Sequence, residues 1–122
     1  MKKKLTQRLL FLFQIIMLLH CSSIASLPQE PEPPTEHTLK NLSIYESELA
    51  SYILYLETFL IRTNRKFGDS NFPKFTLFDT NILQTNQTLD AIKANIKHFK
   101  HYINITKPIA IFVYNKYSKF KK

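Results

Sequence analysis

His98 and His101 stand three residues apart in a lysine-rich stretch, a spacing that would place two imidazoles on one helix face, as metal ligands require. A metal site also wants further ligands, and the chain after Asp90 holds no Asp, Glu or Cys. The two histidines therefore read as part of a solvated basic face, and no metal or cofactor is expected. Nucleophilic chemistry finds no better footing. A phosphate-cradling loop needs several glycines, and Gly68 is the only one in the chain. No serine sits in a nucleophile elbow. The expectation is a protein that binds rather than catalyses.

The one thiol, Cys21, lies in a segment built for export. Lys2, Lys3, Lys4 and Arg8 precede an apolar run from Leu9 to Leu19, which is interrupted by Gln14 and followed by the small-residue stretch from Cys21 to Ser26. These are the three parts of a signal peptide, here residues 1–26, with cleavage after Ala25 or Ser26. The apolar run falls short of the roughly 20 residues of a spanning helix. Bulky His20 occupies the position where an acylated cysteine is normally preceded by a small residue, which argues against a bacterial lipobox. On this reading Cys21 leaves with the leader, and the mature protein is secreted, extracellular and free of disulfides.

Charge divides along the rest of the chain. The formal net charge is +8, yet all nine acidic residues lie between Glu30 and Asp90. Beyond Asp90 there are lysines only, and Lys93, Lys97, Lys100 and Lys107 form the candidate basic binding face. Such asymmetry points to an anionic membrane or glycan surface, or to complementary faces of an assembly. Nucleic acid is not expected as a partner outside the cell. Three sequons, at Asn41, Asn86 and Asn104, are candidate N-glycosylation sites in a eukaryotic secretory pathway.

Few elements are available to position these groups. Residues 27–37 contain four prolines and three glutamates and predict an extended, disordered arm. Residues 38–122 make a single small helical domain with a basic C-terminal tail. Ser43 and Glu46 fit a capping box for a first helix. Its apolar stripe runs through Tyr45, Leu49, Tyr52, Ile53, Leu56, Phe59, Leu60 and Phe67, and Gly68 stands where a left-handed stop is wanted. Ile44, Leu54, Tyr55 and Ile61 fall off that stripe and call for a second packing partner. Phe72, Phe75 and Phe78 recur every third residue around Pro73, which suits an extended segment pinned to helices.

A second helix is predicted from a cap at Asp79 or Thr80, or later at Thr88. Its seam comprises Ile82, Leu89, Ile92, Ile96, Phe99 and Ile103, and Pro108 should limit it. The apolar run from Ile109 to Tyr114 is either a buried strand or part of a helix that Pro108 opens and that continues through Phe120. The fold class is mainly α: a small helical hairpin or an incomplete helical bundle, with two clear helices and an uncertain third element. So small a core without disulfides predicts self-association or dependence on a partner.

From Tyr45 to Phe67, through the loop Phe67-Gly68-x-x-x-Phe72-Pro73-x-Phe75 and into the second helix, residues 45–104 resemble the opening of four-helix cytokines of the ciliary neurotrophic factor and cardiotrophin-like branch. The resemblance implies a secreted, cytokine-like signalling or immune-modulating ligand of a protein receptor, and it assigns no binding residue. The alternative is a membrane-active or anionic-surface-binding protein acting through the basic amphipathic helix 89–104 and the Lys-rich tail.

Overall fold

The computed structural model describes residues 27–118, so the segment 1–26 that reads as a signal peptide, and residues 119–122, lie outside the described residues. The fold is mainly α. Helix α1 spans Leu39–Phe67 and helix α2 spans Leu89–Tyr117, with a 3-10 turn at Thr80–Ile82 between them. Each helix has 29 residues, a length of about 43 Å at 1.5 Å per residue.

Helix α1 begins earlier than the capping box predicts. The Thr38 hydroxyl accepts the Asn41 N–H at 3.1 Å, which satisfies a free amide of the first turn. Ser43 and Glu46 lie inside the helix, and Glu46 turns to a different partner described below. The helix does end at Gly68, but not in a left-handed conformation: its φ is −63°. The glycine is required there by close approach, because a Cβ would overlap the carbonyl and side-chain oxygens of Asn64.

Helix α2 begins at the Thr88 cap, whose hydroxyl accepts the Ala91 N–H at 3.2 Å, and Asp90 in the first turn complements the helix dipole. Contrary to the sequence expectation, Pro108 does not limit it. The buried seam of Ile92, Asn95, Phe99, Ile103, Thr106, Ala110, Val113 and Tyr117 continues past the proline at helical spacing. Pro108 itself is exposed. Its missing N–H leaves free the carbonyl of Asn104, an exposed residue, where water can bond it. Burial of Ala110 and Val113 holds the last turns, so 109–114 is helix. Ile82 and Leu89, expected on the seam, are exposed.

The two helices run in the same direction. Near their starts Glu46 meets Asn95, midway Glu57 meets Tyr102, and at their ends Phe67 stacks on Tyr117 with ring centroids 5.9 Å apart. The chain from Gly68 to Thr88 must therefore return along the whole pair, and it does so against the core. Phe72 lies 5.5 Å from Tyr117, and Phe78 lies 5.1 Å from Phe99 and 5.5 Å from Tyr102. A three-residue period in an extended chain keeps these aromatics on one side. All three are half-buried against the cluster formed by Leu49, Leu56, Leu60, Ile103 and Val113.

The arm is extended, as its prolines require, but it is docked rather than free. Leu27 packs on the core, Glu30 pairs with Lys107 at 3.2 Å, and the Glu36 carbonyl accepts from Asn41. Glu30 and Lys107 are near enough to act electrostatically on Tyr52, which stands about 140° around α1 from Glu57, so the arm runs along the flank opposite the Glu57–Phe78 contact. Arm and crossover thus occupy the two grooves that a pair of parallel helices leaves open.

Because Pro108 breaks the backbone ladder without closing any gap, Pro108→Ala is expected to stabilise the fold by about 1–3 kcal/mol in urea unfolding. A loss of stability in that variant would contradict this account of the proline.

Candidate functional site

Where the crossover reaches the start of α2, a polar cleft of about 210 Å³ opens between Ser43, Glu46 and Ser47 of α1, residues 84–87, and Ile92 and Asn95 of α2. Asn95 builds it. Its side chain is 5% exposed, in a position of the apolar seam where a hydrophobe would fit. The Oδ1 accepts the Gln84 N–H at 2.8 Å, while Nδ2 donates to the Gln84 carbonyl and to Glu46 Oε2, both at 2.9 Å. One amide thereby ties both helices to the end of the crossover. The sequence does carry the signal, an amide between Ile92 and Phe99 at core spacing, but the seam drawn through Ile96 passes over it.

A second polar knot holds the crossover at its middle. Glu57 Oε2 accepts the Phe78 N–H at 2.7 Å, and the Tyr102 hydroxyl, 3.3 Å from that oxygen, donates its one proton to the Thr76 carbonyl at 2.6 Å. Burial pushes Tyr102 above its ordinary value of 10.0, a hydrogen bond with Thr106 lowers it, and the Glu57 carboxylate raises it again. Tyr52 is raised chiefly by burial, with Lys107 lowering it and Glu30 raising it.

Chemically the cleft can exchange hydrogen bonds with a small polar group. Its lining contains one carboxylate, already bonded to Asn95, and no imidazole or thiol to activate Ser43 or Ser47. His98 and His101 are both exposed on α2. No three His, Cys, Asp or Glu groups converge as a metal site among the described residues. Of the candidate basic face, Lys93 and Lys97 are exposed and Lys100 is half-buried on the outward side of α2, while Lys107 turns to the arm. Among the sequon residues, Asn41 serves the first turn of α1, and Asn86 and Asn104 are exposed. No helix among the described residues is long and apolar enough to cross a membrane.

The comparisons redirect the functional reading. The model of the Borrelia orf-D family matches residues 26–119. The chain is also 54% identical over 110 residues to an outer membrane lipoprotein, BBA14, of Borreliella burgdorferi, a match covering 90% of this chain and 91% of that one. These findings overturn the cytokine relationship. The helix, Gly/Phe/Pro loop and helix that suggested it are what a long return beside two parallel helices requires, and cytokine bundles share that requirement. They also remove the eukaryotic premise of N-glycosylation at Asn41, Asn86 and Asn104. Neither the secreted ligand nor the membrane-active alternative stands.

Asn95→Ala is expected to cost about 1–2 kcal/mol, because it removes the three hydrogen bonds that tie the crossover to both helices, while the groups of exposed Gln84 turn to water. Amide exchange should rise first at residues 84–88, and unchanged exchange there would contradict the anchoring role. Both raised tyrosines favour the neutral form in the folded state, so their contribution is complete below pH 10 and is lost as pH rises through the folded values. Urea midpoints should therefore be level across neutral pH and fall above about pH 10, with a shallower fall in Tyr102→Phe.

Proposed function

Since this chain belongs to the Borrelia orf-D family, we propose that it is an outer membrane lipoprotein held to the bilayer by acyl chains on Cys21. One observation supports the reading above others. The 110 matched residues leave twelve of the 122 outside, so Cys21 falls within the span shared with a protein named as an outer membrane lipoprotein. It directly follows the apolar run and His20. On this reading the leader ends at His20, and the objection raised by that bulky residue yields to the relationship. Cys21 becomes the first residue of the mature protein instead of part of what is discarded.

The body, residues 27–118, then acts by binding at the membrane surface. A cleft with one committed carboxylate and no activated nucleophile supports a binding role over catalysis. The packed arm supports a body presented on a short tether.

Expression in a Borrelia host with labelled palmitate tests this directly. The wild-type chain should take up label, partition into the detergent phase of a cloud-point separation and resist Edman sequencing at a blocked Cys21. Cys21→Ser should be unlabelled and recovered in the aqueous phase or as an unprocessed precursor. A wild-type product that is unlabelled, aqueous and begins after Ala25 or Ser26 would sink the proposal and restore secretion.

A further inference from the structure

The outward side of α1 carries a second helical stripe that nothing within the described residues covers. Ile44, Ser47, Ser51, Leu54, Thr58 and Ile61 follow one another at alternating intervals of three and four residues, the spacing of a helix–helix seam. None is charged. Leu54 is 64% exposed, and Tyr55 beside it is 45% exposed. Single exposed hydrophobes are ordinary, but a seam-spaced, charge-free row along a helix is the pattern of a packed face.

Charge placement on its flank specifies the occupant. Glu48 and Arg62 each lie seven residues from Tyr55, one before and one after, so all three stand about two helical turns apart on the same edge of the stripe. Both are exposed, and neither forms an ion pair among the described residues. We propose that this face binds a second copy of the chain, with the two α1 helices antiparallel about a two-fold axis at Tyr55. That axis brings Glu48 of each copy opposite Arg62 of the other, and it brings the two Tyr55 rings together. A parallel pairing would instead put this edge of the two helices on opposite sides of the seam, where Glu48 and Arg62 could not meet, so pairing these charges selects the antiparallel arrangement. Ile44, Leu54 and Ile61 supply apolar contact, the small Ser47 and Ser51 let the helices approach, and the flanking charges fix the direction.

The test uses the full chain in its own membrane. Tyr55→Cys should give a covalent dimer on mild oxidation, resolved on a non-reducing gel. The wild-type chain and Leu77→Cys, an exposed control on the crossover, should not. Glu48→Arg should lower the Tyr55→Cys yield about tenfold, as should Arg62→Glu, because each turns two attractions into repulsions. Co-expressing the two charge variants should restore the covalent species as a mixed dimer. Circular dichroism of each variant establishes that it is folded. A folded Tyr55→Cys chain that gives no covalent dimer, a Leu77→Cys chain that gives as much, or a yield unaffected by either reversal would overturn the proposal.

Discussion

Two helices of equal length that run the same way oblige the chain between them to travel back along the whole pair, and the other features of this fold follow from that return. A hairpin would need only a few residues between its helices. Here the connection from Gly68 to Thr88 must span about 43 Å, which an extended chain of this length covers with slack. An extended segment has no internal hydrogen-bond ladder, so its backbone must be satisfied from outside. Glu57 receives the Phe78 N–H, Tyr102 reaches the Thr76 carbonyl, and Asn95 takes both groups of Gln84. The polar side chains in an otherwise apolar interface are therefore the fasteners of the crossover.

Each fastener combines a direction with a hydrophobic seat. Phe72, Phe75 and Phe78 contribute area, and burying an aromatic of that size is worth roughly 1.5–3 kcal/mol. Area alone would tolerate a shift of the crossover by one aromatic period. The hydrogen bonds at Glu57 and Asn95 do not tolerate it, because a shift would leave the buried Asn95 amide and the part-buried Phe78 N–H without partners, at a cost of about 1–3 kcal/mol each. Burial supplies the attraction, and the amide and carboxylate select one register, as a polar residue does at a coiled-coil seam.

Periodicity made much of this legible. The stripe of α1, the aromatic spacing of the crossover and the hydrophobes of the α2 seam from Ile92 to Ile103 can all be read from the chain. Four things cannot. The direction of α2 relative to α1 depends on which faces meet, and an apolar stripe is the same stripe in either direction. Pro108 reads as a limit to the helix because local backbone preference takes no account of the burial of Ala110, Val113 and Tyr117, which holds the helix on its far side. Asn95 escapes a hydrophobic pattern, which runs through hydrophobes, whereas this site is made by the polar residue that interrupts one. The docking of the arm was hidden for a similar reason: prolines predict extension, and only the Glu30–Lys107 pair and the seat of Leu27 decide where the extended chain lies.

That docked arm gives the Cys21 assignment a geometric consequence. Between Cys21 and Leu27 there are only residues 22–26, a reach of at most about 20 Å when fully extended. Had the arm been free, its further residues would have let the body drift well away from the bilayer in any orientation. With Leu27 seated on the core and Glu30 paired to Lys107, the tether leaves the body from the groove between the helices. The body must then ride close to the membrane with that groove as its point of attachment. The crossover lies on the opposite flank, and the outward stripe of α1 lies on neither, so an anchored chain keeps that stripe at the side, where a neighbour in the same membrane can reach it.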